Sequence, residues 1–97
     1  MFAAVRVYSD NEGLADALVA HESEVRGVIS GIAGFGGYYL LKTADGAASI
    51  SVYETAEGAQ ESSRAAGAWV KENLPEHVKS PPQVTVGEVV VDSSSWG

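Results

Sequence analysis

Residues 35–53 read FGGYYLLKTADGAASISVY, two largely apolar runs on either side of an Asp-Gly pair. Asp-Gly between two such runs is the strongest short signal for a β-hairpin, because both residues readily adopt the positive φ angles of a tight turn. We therefore predict strands over Phe35–Thr43 and Ala47–Tyr53, with Asp45 and Gly46 forming the two-residue loop between them.

Counting outward from that loop predicts the register of the hairpin. Leu41 then faces Ile50, and Tyr39 faces Val52. The alternation divides the side chains into two faces, one with Tyr39, Leu41, Ile50 and Val52 and the other with Tyr38, Leu40, Ser49, Ser51 and Tyr53. We expect the Tyr39 face to lie against the helices of the domain.

A strand and a helix are predicted before the hairpin. Phe2–Tyr8 alternates as a strand does, with both sides largely apolar. Ser9-Asp10-Asn11-Glu12 has the form of a capping box, so a helix should begin there. Apolar side chains then recur at steps of three and four residues, as a buried helical stripe does, at Leu14, Leu18, His21, Val25, Val28 and Ile32.

A second helix and a last strand follow the hairpin. Thr55 can cap the helix, and Pro75 should end it at Leu74. The inward stripe of this helix is predicted as Ala59, Ser63, Ala66 and Val70. The last strand is predicted over Val84–Val91, after Pro81-Pro82.

The order of these elements is β-α-β-β-α-β, the ferredoxin-like arrangement. The sequence therefore predicts an α+β fold, in which two helices cover one face of a four-stranded antiparallel sheet. We expect one domain over residues 1–92 and a flexible tail over residues 93–97. A core this small is helped by dimerisation.

Composition restricts the function classes. The chain carries 6 Lys and Arg against 13 Asp and Glu, a formal net charge of -7, which disfavours nucleic acid and anionic membranes as partners. The absence of cysteine rules out disulfides and thiolate metal sites. The first residues do not resemble a secretory signal, so we expect a cytoplasmic protein.

Several segments resemble one known group of proteins. Gly34–Leu41, the Asp45-Gly46 turn, and Ile50–Ala59 are similar to the dimeric α/β-barrel superfamily that contains the antibiotic biosynthesis monooxygenase-like proteins. Glu61–Ala66 and Trp69–Leu74 resemble small actinobacterial members of that group, most of them without an assigned activity. The resemblance covers almost the whole chain, from about Phe2 to Val91.

The resemblance implies an assembly and a place for chemistry. Such proteins are homodimers whose two sheets pack face to face, with the helices outside. Members of the monooxygenase type bind an aromatic or polyketide-like substrate between the sheet and the helices, without metal or flavin. We therefore expect no cofactor and a small hydrophobic or aromatic ligand.

Five side chains are the candidates for that site. His21, on the apolar helical stripe, is the candidate general base, and Glu24 is the carboxylate able to reach its ring. Tyr39 is the candidate donor to a substrate oxygen. Trp69 would form an aromatic wall, with Leu18 and Val52 as further substrate contacts. Each has an ordinary alternative, because histidine, tyrosine and tryptophan also serve as core packing.

Two further readings stay open. A non-catalytic dimer, which binds a small molecule or is purely structural, fits the sequence almost as well, since no set of residues forces catalysis. Haem-degrading members of the superfamily carry a tryptophan and then a histidine, which Trp69 and His77 resemble in order. Arg6, however, lies in the region where those members have an asparagine, and we expect it to pair with Glu88.

Overall fold

The computed structural model describes residues 1–77 and 80–96. Its elements are strand β1 (Phe2–Tyr8), helices α1 (Leu14–Ala20) and α2 (Glu22–Ser30), strands β2 (Phe35–Thr43) and β3 (Gly46–Tyr53), helix α3 (Ala56–Asn73) and strand β4 (Gln83–Glu88). Short 3-10 turns lie at Pro75–His77 and Ser93–Trp96. Residue 97, the end of the predicted tail, lies outside the described residues.

The strands form one antiparallel sheet in the order β2-β3-β1-β4, which confirms the ferredoxin-like α+β fold. The two core clusters join the helices to the same side of that sheet. One contains Tyr8 and Ala47 with residues of α1 and α3, and the other contains Ala4 and Tyr53 with residues of α2 and α3.

The first helix differs from the prediction at its start. It begins at Leu14, after Gly13 in a left-handed conformation, and Ser9 makes no capping hydrogen bond. The reason lies in Asn11, which is buried and whose backbone N–H donates to the carbonyl of Asp45 at 2.8 Å. This bond holds the segment after β1 against the hairpin turn, so the helix starts later.

The predicted helix is also broken at His21, whose φ of -107° and ψ of 26° interrupt the helical backbone. The His21 N–H lies 3.2 Å from two carbonyls, those of Ala17 and Leu18, which tightens the last turn of α1. The break changes the direction of the buried stripe. Ile29 is the buried residue of α2, whereas the predicted Val28 is half-buried.

The hairpin register is shifted by two residues from the prediction. Thr43 pairs with Gly46, so the loop is Ala44-Asp45, and Tyr39 lies opposite Ile50. Gly46 belongs to the strand because its Cα approaches the carbonyl of Tyr8 too closely for any side chain. A shift of two residues keeps each side chain on its own face, so the two predicted sets of side chains are correct.

The helices, however, cover the other face from the one predicted. The covered face carries Ala4, Arg6, Tyr8, Tyr38, Leu40, Ala47, Ser49, Ser51 and Tyr53. The open face carries Ala3, Val5, Val7, Tyr39, Leu41, Ala48, Ile50 and Val52. Tyr39 is 67% exposed and Leu41 is 47% exposed. The physical reason is size, because the small side chains of the covered face on β1 and β3, namely Ala4, Ala47, Ser49 and Ser51, let α3 lie close to the sheet.

Helix α3 confirms its predicted ends. The Thr55 hydroxyl accepts a hydrogen bond from the Gly58 N–H at 3.0 Å, and Leu74 follows the last helical residue. One stripe position is corrected, since Ser62 is buried and lies 3.1 Å from the Ser51 hydroxyl, whereas Ser63 is half-buried. Strand β4 ends at Glu88, three residues before the predicted end at Val91.

Candidate functional site

Two adjoining spaces lie between the covered face of the sheet and the helices. The inner cavity, of about 20 Å³, is enclosed by side chains of β1, β2, β3 and all three helices. The outer groove, of about 530 Å³, lies between α1, α2 and β2. The same side chains border both spaces, namely Leu18, Val25, Ile29, Tyr38 and Leu40.

Arg6 is the charged residue of the inner cavity. Strand β1 places it on the covered face between Ala4 and Tyr8, where it is only 4% exposed. Its Nη2 donates a hydrogen bond to the Tyr8 hydroxyl, and its guanidinium carbon lies 5.2 Å from the centre of the Tyr8 ring. Both contacts are with a neutral group.

Arg6 has no ion-pair partner in the part of the chain that the structure describes. The expected pair with Glu88 is wrong, because Arg6 lies opposite Val84 and Glu88 lies opposite Phe2, at the far end of the strands. The buried Nε of Arg6 has no hydrogen-bond partner. Desolvation lowers the pKa of Arg6, which the neighbouring oxygens of Tyr8 and Tyr38 partly oppose.

Two tyrosines accompany Arg6. Burial raises the pKa of Tyr8 and of Tyr38, and the charge of Arg6 acts in the opposite direction on both. Their hydroxyls are therefore neutral near pH 7, and both side chains line the inner cavity. Tyr53 is different, since its hydroxyl donates to the Ile29 carbonyl at 2.6 Å and holds α2 to the sheet.

The structure brings some of the predicted site residues together. Trp69 and Leu18 line the inner cavity. His21 lies beside Trp69, with ring centres 5.6 Å apart in an edge-to-face arrangement. Its side chain is 41% exposed, and its Nδ1 lies 3.5 Å from a carboxylate oxygen of Glu24. His21 therefore stands at the margin and lines neither space.

The other predicted residues lie elsewhere. The expectation that Tyr39 faces the helices is wrong, and both Tyr39 and Val52 are on the open face. Tyr38, the preceding residue, takes the inward position. His77 is on the 3-10 turn after α3, 3.4 Å from the position that a Cβ at Gly13 would take, and it lines neither space.

No prediction from the sequence placed Arg6, Tyr8 or Tyr38 at the site. The signal was present in β1, where Phe2, Ala4, Arg6 and Tyr8 share one side of an alternating strand. A cation on the same side of a strand as apolar residues is buried if helices cover that side. The pattern therefore indicates a buried charge once the covered side is known. Without that knowledge, pairing at the surface was the natural interpretation.

No three side chains of histidine, aspartate or glutamate in residues 1–77 and 80–96 come together as metal ligands would. Within the same ranges, no helix is both long and apolar enough to span a membrane.

Solved structures with a similar fold are numerous, whereas no family model and no curated protein matches the sequence. A protein from Nitrosomonas europaea described as a "putative antibiotic biosynthesis monooxygenase" has a TM-score of 0.70 and 12% identity, over 94% of this chain and 100% of that one. A mutant of MhuD, with two manganese protoporphyrin IX molecules bound per active site, has a TM-score of 0.63 and 16% identity over 95% and 97%.

A third structure is a monooxygenase from the gene ActVA-Orf6 of Streptomyces coelicolor in complex with the ligand Nanaomycin D. Its TM-score is 0.60 and its identity 18%, over 94% of this chain and 91% of that one. At identities this low, the structural similarity establishes the fold alone. The activity has to be argued from the site. This chain thus has the ferredoxin-like α+β fold that antibiotic biosynthesis monooxygenase-like proteins share.

Proposed function

We propose that this protein binds a flat, hydrophobic small molecule between its helices and its sheet and oxidises it as cofactor-independent monooxygenases do. The observation that carries the proposal is the outer groove, which shares five lining residues with the inner cavity. Its volume of about 530 Å³ is within the range of small-molecule sites, roughly 300 to 1,000 Å³. Its walls are mostly apolar, with the Tyr38 hydroxyl as a polar group at the boundary.

The proposed reaction needs only the substrate and dioxygen. A phenol loses its proton, the phenolate forms a carbon–oxygen bond with dioxygen, and the hydroperoxide that results loses water to give a quinone. All the electrons come from the substrate, so no external reductant is consumed. The protein orients the ring, with Trp69 as one wall, and donates a hydrogen bond from Tyr38 to the substrate oxygen. In this proposal His21, which lies beside Trp69 and is 41% exposed, exchanges the proton with solvent from outside the two spaces.

The same proposal includes a homodimer and a cytoplasmic location. The open face exposes Tyr39 and Leu41 beside the half-buried side chains of Val5, Ile50 and Val52. Large apolar side chains gathered on one sheet face are typical of an interaction surface. A second copy, packed sheet to sheet, supplies the cover that the resemblance described above implies.

Calorimetric titration with naphthoate and with its methyl ester tests the ligand site. Val25 borders both spaces, and Val25→Trp should fill the groove and weaken binding by about 10-fold or more. Gln60→Trp places the same ring on the exposed surface of α3, away from both spaces, and should leave affinity within about 2-fold. If Val25→Trp does not fold, Val19→Trp at the exposed edge of the groove takes its place. Absence of binding by both compounds contradicts the ligand site.

Oxygen uptake with naphthol separates the enzyme from the non-catalytic alternative. The proposal predicts one dioxygen consumed per molecule of quinone formed, with uptake reduced in the Val25→Trp variant. Binding without any oxygen uptake would contradict the oxidation and support a small-molecule-binding protein instead.

Haem binding is not part of the proposal. The histidine that the haem alternative needs, His77, lies against Gly13 and outside both spaces. The likeness to MhuD is a likeness of fold at 16% identity.

A further inference from the structure

The geometry points to an anionic ligand whose charge is bound by Arg6. The inference rests on the proposed ligand site and names the chemical class that the site accepts, an aromatic carboxylate, phenolate or enolate. It follows from one buried cation and the space beside it.

The burial of Arg6 is unusual in the absence of a counter-charge. A buried arginine is normally paired with a carboxylate, because removing a lone charge from water costs several kcal/mol. Arg6 is 4% exposed, and no carboxylate in residues 1–77 and 80–96 pairs with it. The hydrogen bond to Tyr8 and the contact with its ring compensate the charge only in part.

Arg6 lines a space that fits one oxygen atom. The inner cavity that it borders measures about 20 Å³, and one water-sized atom needs roughly 10 to 15 Å³ on this measure. An anionic oxygen in the inner cavity would lie beside Arg6, and the outer groove, which shares Tyr38 and Leu18 as lining residues, would hold the ring that carries it.

Small residues of helix α3 lie against the guanidinium. Gly67 lies near it, and a Cβ at Gly67 would be 3.7 Å from Nη2 of Arg6, an ordinary van der Waals contact. Ala66, on the same helix, lines the cavity with a single methyl group. The helix therefore packs against the cation without crowding it.

The charge around the site disfavours an anion, so the assignment depends on Arg6. The chain has a formal net charge of -7, so its general field repels anions. At the edge of the outer groove Arg26 is exposed and paired with Glu22, which leaves that edge without free positive charge. Arg6 is the residue able to make the site selective for an acid.

A matched pair of probes tests the inference, naphthoate and its uncharged methyl ester, titrated calorimetrically at pH 7. The wild type should bind naphthoate at least about 10-fold more tightly than the ester, since a hydrogen bond to a charged group contributes about 1.5 to 3 kcal/mol. In Arg6→Met the preference should fall to about 2-fold or less, while the ester still binds. Arg64→Met removes an exposed cation that is paired with Glu61 and lines neither space, and it should keep the wild-type preference.

The possible results separate this inference from the proposed function. Equal binding of both probes to the wild type, still blocked by Val25→Trp, leaves the ligand site standing and overturns the role of Arg6. A preference that persists in Arg6→Met also overturns it. Binding of neither probe overturns both. If Arg6→Met does not fold, Arg6→Gln removes the charge and keeps a polar side chain, and an unchanged preference in that variant contradicts the inference.

Discussion

The two faces of the sheet are built in opposite ways. The covered face carries a buried cation and two buried tyrosines among alanines and serines, and the open face carries large apolar side chains in contact with solvent. Folding of a lone subunit favours the reverse arrangement, polar groups outside and apolar groups inside. Tyr38 and Tyr39 illustrate the contrast, since consecutive residues of β2 serve different faces. The difference indicates a ligand for the covered face and a second subunit for the open one.

The largest expected effect concerns the open face. Val5 lies at its centre, opposite Ile50 on β3 and Thr85 on β4. Val5→Glu should raise the dissociation constant of the dimer by about 100-fold or more, because it places a charge in an apolar interface. Sedimentation equilibrium measures the constant.

Ser23→Glu, on the exposed surface of α2, is the control and should leave the dimer intact. A wild type that sediments as a monomer at micromolar concentration would contradict the assignment of the open face.

A Tyr→Phe substitution on each face compares the two faces by the same chemical change, the loss of one hydroxyl. Tyr53→Phe deletes the buried hydrogen bond to the Ile29 carbonyl and should reduce the free energy of unfolding by about 1 to 2 kcal/mol. Tyr39→Phe deletes an exposed hydroxyl and should change it by less than about 0.5 kcal/mol. Urea denaturation measures both values. Equal losses would show that the two faces had been assigned wrongly.

A smaller effect is expected at alkaline pH. Burial raises the pKa of Tyr38 above its ordinary value of 10.0, so the folded state holds the proton more tightly than the unfolded state does. The resulting stabilisation is complete below pH 10 and is lost as the pH rises through the raised pKa. The free energy of unfolding of Tyr38→Phe should therefore fall less than that of the wild type between about pH 9 and about pH 11, a range that brackets the tyrosine pKa.

Ser23→Ala serves as the control in that experiment, because Ser23 is exposed on α2 and carries no group that titrates in this range. Its loss of stability over the same pH range should match that of the wild type. If Tyr38→Phe and the wild type lose stability in parallel, Tyr38 is not held in its protonated form by burial.

Local patterns were enough to predict most of the fold. The alternation in β1, the Thr55 cap and Pro75 gave the correct limits of β1 and α3 to within a residue. The turn was misplaced because Gly46 is needed for a close approach to the Tyr8 carbonyl, a tertiary contact that no local pattern reports. The late start of α1 has the same kind of cause, the bond from Asn11 to Asp45.

The site was harder to predict than the fold. Alternation shows which side chains share a face, but it does not show which face the helices cover. Both faces of this sheet contain apolar groups, so Tyr39 was placed inside and Tyr38 outside. The small size of Ala47, Ser49 and Ser51 was the usable signal, since only small side chains let a helix lie this close.

The central claim is that Arg6 serves a ligand and not the fold, and the free energy of unfolding of Arg6→Met without ligand tests it most directly. Replacing a buried charge that lacks a partner with an apolar side chain of similar length removes the cost of desolvation. The account predicts that Arg6→Met is as stable as the wild type or more stable, by up to about 4 kcal/mol, in urea denaturation at pH 7. A loss of about 3 kcal/mol or more would show that Arg6 holds the structure together, and would contradict the account.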